Sequence, residues 1–210
     1  VRGLTRAARA GVPVLAAAAA GVGVARARSW HLRWGATPGE VRAVLPGDEV
    51  PVARVGMRAT RAVTVDAPPT DVWPWLAQIG TGKAGWYSYD LLDNLGRSSA
   101  REVLPRWQSV AVGDAAAPMN PFAPVTSSPW RVEHVDQGRV LVWRHPQMGT
   151  WSWVLLPGPG GRGTRLVSRL RLGYESVGGM AFAPLLEVAD FPMFRRMLLG
   201  IKERAEALGA

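Results

Sequence analysis

From Met57 to Tyr174 the chain alternates apolar and polar residues in short runs, and from Phe191 the repeat lengthens. Residues 57–66 place Val63 and Val65 on one face and Thr60, Ala62 and Thr64 on the other, the two-residue period of a half-buried strand. The period returns over 130–135, 139–145, 148–156 and 164–174. In 148–156, Trp151, Trp153 and Leu155 oppose Thr150, Ser152 and Val154. In 164–174, Leu166, Ser168, Leu170, Leu172 and Tyr174 oppose Arg165, Val167, Arg169 and Arg171, so the leucine face is expected inside and the arginine face in solvent. Asp136-Gln137-Gly138 suits a hairpin and Pro157 to Gly161 a turn, which makes these runs an antiparallel meander.

Helical spacing appears in four places. After Pro68-Pro69, Val72, Leu76 and Ile79 form one stripe with Trp73 and Ala77 beside it. Gly80, Gly82 and Gly85 break the backbone, and Leu91, Leu92 and Leu95 mark a second short helix that would support the sheet. Phe191, Phe194, Leu198, Ile201, Ala205 and Leu208 recur at three and four, so 180–208 is predicted as a helix in two parts, interrupted by Pro184 and Pro192. Upstream, Thr37-Pro38-Gly39-Glu40 is a helix start within a linker-like stretch, 29–56, from which Val41, Val44 and Leu45 could dock. Residues 118–129, with four prolines, are predicted as a loop over one end of the domain. The organisation expected is an N-terminal segment 1–28, the linker, and one α+β domain over 57–210, in which a long terminal helix covers a curved antiparallel sheet around an apolar space.

Charge changes the picture at the N-terminus. Of the formal +9, six arginines and no acid fall in residues 1–33, leaving +3 for everything after. The folded part therefore carries no basic stripe for nucleic acid, and none is expected as a partner. Residues 10–25 are uncharged, rich in alanine and glycine, and flanked by arginines. Sixteen residues fall short of the roughly 20 a spanning helix needs. Membrane association through 10–25, a cleaved leader ending near Ala25-Arg26-Ala27, and a soluble extension are the three readings. The first is expected, as a helix that stays off the core and sets the domain beside a membrane; location is thus membrane-associated or cytoplasmic. There is no cysteine, and His31, His134 and His145 lack metal spacing, so no metal or other cofactor is expected. Ten tryptophans against four phenylalanines and three tyrosines suggest a core or cavity needing wide flat surfaces.

The motifs TRAVTVDAPPTDVWPWLAQIG (60–80), GWYSYDLLDNLG (85–96), VGD (112–114) and LLGIKERAE (198–206) resemble the START-like, helix-grip (SRPBCC) superfamily, and within it the bacterial polyketide cyclase/dehydrase and lipid transport group. WGATPGEVRAVLPGD (34–48) is similar to a lead-in of that group. The resemblance implies the fold of the birch-pollen allergen and of lipid-transfer domains, and a bacterial protein. It does not fix an activity, since that scaffold carries transporters, receptors, cyclases and hydroxylase subunits.

The residues expected to line a ligand cavity are Trp86, Tyr87, Tyr89 and Asp90, behind the glycine break, with Trp107, Trp143, Trp151 and Trp153 from the later chain. Tyr87, Asp90 and His145 are the candidates for acid–base work, and His134 with His145 a weaker pair across the hairpin. No dedicated nucleophile stands out. Binding of a small hydrophobic molecule such as a lipid or polyketide is the first expectation. A cyclase, dehydratase or aromatase activity is the alternative, and a non-catalytic interaction or stress-response module the third; oligomeric state is left open.

Overall fold

The computed structural model describes residues 18–116, 130–173 and 177–209, with backbone alone over 177–186. The elements are helix α1 (18–32), α2 (Pro38–Arg42), strand β1 (Val55–Val65), α3 (Pro69–Ala77), α4 (Asp90–Asp93), β2 (Arg131–Asp136), β3 (Val140–His145), β4 (Gly149–Pro157), β5 (Thr164–Gly173) and α5 (Val177–Glu206). The strands form one antiparallel sheet in the order β1-β5-β4-β3-β2. The protein is therefore α+β, a five-stranded antiparallel sheet with a long C-terminal helix. Tyr174 and the 118–129 loop lie outside the described residues.

Alternation sorts the strands into two faces. The inner face gathers Met57, Val63 and Val65 of β1, Leu141 and Trp143 of β3, Trp151, Trp153 and Leu155 of β4, and Leu166 and Leu170 of β5. Phe194, Met197, Leu198, Ile201 and Ala205 of α5 meet this face, as do Val72, Trp75 and Leu76 of α3. Helix α5 is continuous where two parts were predicted. Pro192 denies the Val188 carbonyl its helical partner, but Val188 is exposed, where a missing helical bond costs least, and the buried turns beyond hold the helix in register. Leu208, placed on the stripe by spacing, falls beyond the helix and is half-exposed. Helix α4 differs more. Leu91, Leu92 and Leu95 are 78%, 63% and 43% exposed, so this turn does not support the sheet with its leucines.

The opposite face corrects the expectation of a solvated arginine row. Residues 34–50 form a strap across it. Leu45 packs on Ala62 and Val167. The side chain of Arg165 donates to Glu40 at 2.7 Å and 2.9 Å, and Arg171 donates to the carbonyls of Gly47 at 2.7 Å and Val50 at 3.1 Å. Arg169 is 1% exposed and grips the carbonyls of Glu40, Val41 and Ala43 together with Asp48. The stretch read as a linker is thus held down by charge-assisted hydrogen bonds rather than by the valines: Val44 is exposed. Helix α2 starts with the capping box the sequence announces, Thr37 with Glu40, and Glu40 serves Arg165 as well. Where the strap begins, the Trp34 carbonyl accepts from the Ala62 amide, and a Cβ on Gly35 would stand 2.0 Å from the Ala62 oxygen, so only glycine fits.

Helix α1 runs unbroken past residue 28, the expected segment boundary. Residues 18–28 are exposed, whereas His31 and Leu32 are buried and Trp30 sits edge-on to Phe191 at 5.0 Å. Arg28 clasps the buried Glu187 through two contacts of 2.8 Å. The 18–25 part of the expected helix is exposed; 10–17 lie outside the described residues. Among the described residues no helix is long and apolar enough to cross a membrane.

Candidate functional site

A pocket of about 180 Å³ opens between the α4 segment, β4 and α5. Its floor is aromatic. Trp86 stacks on Trp151 with centroids 5.8 Å apart and planes 10° apart, and Phe194 lies 5.3 Å from Trp151. Met193 and Met197 complete the apolar wall, and Ser88, Leu92, Asp93 and Asp190 supply the rest.

Trp86 is held by a tightly tied loop. Gly80 and Gly85 bridge, which folds the glycine break into a closed turn. The Trp86 amide donates to Asn94 Oδ1 at 3.1 Å and its indole N–H to Thr81 Oγ1 at 2.7 Å. Asp90 accepts from Asn94 Nδ2 at 2.7 Å and from the Ser99 amide at 3.0 Å. Tyr87, at φ +55°, turns the chain so that its own ring goes inward while Trp86 faces the pocket. Its hydroxyl donates to the Trp75 carbonyl at 3.2 Å, and the Arg204 guanidinium covers its ring at 4.7 Å. Gly200 lets the loop lie directly on α5, since a Cβ there would sit 2.1 Å from the Tyr87 oxygen.

On the α5 side, Asp190 accepts from Arg61 Nη1 at 2.6 Å. Arg61 is fully buried on the inner face of β1; it donates to the His31 carbonyl at 3.0 Å and lies 4.6 Å over Phe194. Burial pushes the Asp190 carboxyl above its ordinary range; Arg61 opposes the rise and the charge of Asp93 adds to it. Two buried oxygens have no hydrogen-bond partner, Ser88 Oγ and Asp93 Oδ2, and both residues line the pocket.

The residues anticipated from sequence divide between this pocket and other work. Trp86 and Trp151 line it. Trp143 and Trp153, 2% and 0% exposed, are sealed in the core behind Trp151. Tyr87 and Asp90 face a separate polar cleft with Arg196, Glu203 and Arg204. Tyr89 is exposed, and Trp107 lies in a turn at Pro105–Trp107 with Lys83 5.4 Å over its ring. The acid–base candidates do not converge: Tyr87 is locked on Trp75, Asp90 ties Asn94 and Ser99, and His145 Nδ1 accepts from the Gln147 and Met148 amides at 3.1 Å and 3.0 Å. His134 faces Val142 and His145 faces Gly149, so the two histidines are not cross-strand partners. Among the described residues no group of His, Cys, Asp and Glu is arranged to hold a metal.

Ser88, Asp190 and Arg61 are not singled out by sequence, and Asp93, three residues from Asp90 on a short helix, reads there as a solvated face. Arg61 did carry a signal, an arginine in the inward register of Met57, Ala59, Val63 and Val65. Such a position needs a buried partner, and Asp190, next to Phe191, is the acid that supplies it.

Acid is expected to loosen the fold in two stages. Burial holds His31 and His145 below the ordinary 6.5, helped at His31 by Arg61, so protonation favours the unfolded chain and stability declines as pH falls below 6.5. For Glu40, Asp90 and Glu206, burial alone would raise the carboxyls, but hydrogen bonds from Arg165, Asn94 and Lys202 respectively, with backbone donors, hold them low. Their contribution is present above the unfolded carboxylate range and is lost as pH drops through about 4 and below. Asp190, shifted up, works in the other direction. Thermal unfolding against pH is expected to show a shallow fall from 6.5 and a steeper one below about 4; a midpoint flat from pH 7 to 3 would contradict it.

No family model matches the chain, and no curated protein does. Among solved structures, it is similar to the C-terminal domain of a Deinococcus radiodurans protein determined by NMR in solution. The identity is 24%, over 70% of this chain and 90% of that one, with a TM-score of 0.28. So loose a superposition carries no argument.

Proposed function

We propose that the protein binds a small apolar molecule in the pocket between α4, β4 and α5, on a scaffold of the START-like, helix-grip kind. The scaffold reading is supported by the order of elements: a first strand, two short helices, a strand meander and a long terminal helix on the inner face. The observation that carries the function is the Trp86–Trp151–Phe194 floor of a cavity whose wall holds two unpartnered buried oxygens. Apolar surface with a few fixed polar groups is the usual make-up of a small-molecule site. At about 180 Å³ the space matches one ring or a short alkyl group, since an apolar cavity of about 150 Å³ takes up benzene. A longer lipid or polyketide would extend outward past Leu92, which lines the pocket and is exposed. Without converging acid and base, the site supports holding a ligand rather than transforming one.

Titration of the tryptophan emission with 2-phenylethanol and 1-hexanol is expected to saturate in the wild-type protein and to fail in Met197→Trp, which fills the pocket. Protein purified from its own host and weighed by native mass spectrometry is expected to carry a small adduct. A clean apo mass together with no uptake of either alcohol would sink the proposal and favour a non-catalytic module with a side-chain-filled interior.

Membrane association stands as a second proposal, supported by the exposed 18–25 turns with Val22 and Val24 outward and the exposed Arg26 after them. Each arginine near an anionic surface adds about 1 kcal/mol. Full-length protein is expected to float with phosphatidylserine vesicles, and a chain starting at residue 29 to float less. Equal behaviour of the two would remove the N-terminal segment as an anchor.

A further inference from the structure

The pocket has a sign as well as a shape. We infer that its ligand carries a protonated amine, seated at Asp93 and Ser88 above the indole of Trp86. This rests on the binding function proposed above and specifies the chemical class of the ligand.

Two carboxylates line the cavity, and only one of them is answered. Asp190 has Arg61, at 2.6 Å. Asp93 forms no ion pair or hydrogen bond among the described residues, and its Oδ2 is buried without a donor. A half-buried carboxylate with no cation to pair with, set in a mostly apolar lining, is costly, and a ligand bringing a cation into the pocket offsets that cost. Ser88 Oγ, also buried and unpartnered, adds an acceptor on the same wall. The lining suits the same group: an ammonium is drawn to an indole more than to any other side-chain ring, and Trp86 and Trp151 both border the cavity. Two negative charges against the one guanidinium of Arg61 leave the lining negative, so a carboxylate or phosphate ligand would enter against repulsion. A neutral alcohol can occupy the cavity but leaves the Asp93 charge unanswered.

Three probes of similar size decide the matter: 2-phenylethylamine, 2-phenylethanol and phenylacetate, titrated calorimetrically into the full chain at pH 7. The amine is expected to bind at least about tenfold more tightly than the alcohol, as one charge-assisted contact plus a cation–π contact allow, and the acid not at all. Asp93→Asn is expected to erase most of the amine's advantage over the alcohol, because the asparagine keeps the shape and drops the charge. Equal affinity for amine and alcohol overturns the amine assignment and leaves the pocket standing. Weakening of amine and alcohol alike in Asp93→Asn, with the melting temperature unchanged, also overturns it. Binding of none of the three by the wild type removes the pocket and this assignment together. If Asp93→Asn fails to fold, the wild-type series alone decides.

Discussion

Arg169→Met is expected to cost about 3–5 kcal/mol of stability, the range for breaking one side of a buried charged pair. The guanidinium is 1% exposed and is spent on five acceptors: Thr60 Oγ1 at 3.0 Å, the carbonyls of Glu40 at 2.7 Å, Val41 at 3.2 Å and Ala43 at 2.8 Å, and Asp48. Methionine fills the space of the stem and satisfies none of them. Three backbone carbonyls then lose a donor, and Asp48 keeps the Leu45 amide at 3.0 Å, Arg58 at 3.2 Å and the more distant Arg171 at 3.8 Å. For a chain of this size, where each kcal/mol moves the midpoint about 2–4 °C, the melting temperature should fall by about 10 °C. Asp48→Asn should do less, since the amide oxygen still accepts from Arg169. A loss under about 1 kcal/mol for Arg169→Met would mean that the strap is ornamental to the fold.

The second large effect reverses a usual sign. Replacing glycine by alanine inside a helix normally stabilises by about 1 kcal/mol. Gly200→Ala is expected instead to destabilise by about 1–3 kcal/mol, the range for overpacking. The new Cβ would stand 2.1 Å from the Tyr87 carbonyl oxygen and 3.0 Å from the Tyr87 Cβ, and the first of these is backbone that cannot rotate away. Either α5 or the 85–90 loop must move. Movement of the loop tilts Trp86 off Trp151, so uptake of 2-phenylethanol should weaken along with the melting temperature. Unchanged stability and unchanged binding would show that the loop has slack there, and that Tyr87 does not set the position of Trp86.

The strands and the stripe of α5 could be read directly because both depend on local period. Trp151, Trp153 and Leu155 face inward, as do Phe194, Leu198, Ile201 and Ala205. The fate of Arg165, Arg169 and Arg171 could not be read that way. An outward arginine row looks the same in sequence whether water or another segment covers it, and the acids and carbonyls that meet it lie more than a hundred positions upstream. The pocket was harder still. Its geometry follows from a positive φ at Tyr87, a tyrosine in a region that favours glycine, and nothing in Trp-Tyr-Ser-Tyr-Asp announces which aromatic turns inward. Hence the sequence offers Trp86 as a lining candidate without its orientation, presents Asp93, three residues from Asp90, as a solvated helix face, and leaves Ser88 unmarked, though the same turn carries both to the wall.

The order of strands bears on how the molecule is made. Among the described residues strand β1 pairs only with β5, which is synthesised after β2, β3 and β4, and the strap that precedes β1 is fastened by arginines of β5 as well. The first third of the chain thus waits for residues 164–173 before it can close, and the loop-closure entropy of that long excursion falls on a single late event. While it waits, the hairpin strands β2 to β4 are free to form from neighbours, but β4 exposes an unpaired edge beside Trp151 and Trp153. A nascent chain halted before residue 164 would carry that edge and an unfastened strap together, an exposed pairing surface of the kind that invites aggregation.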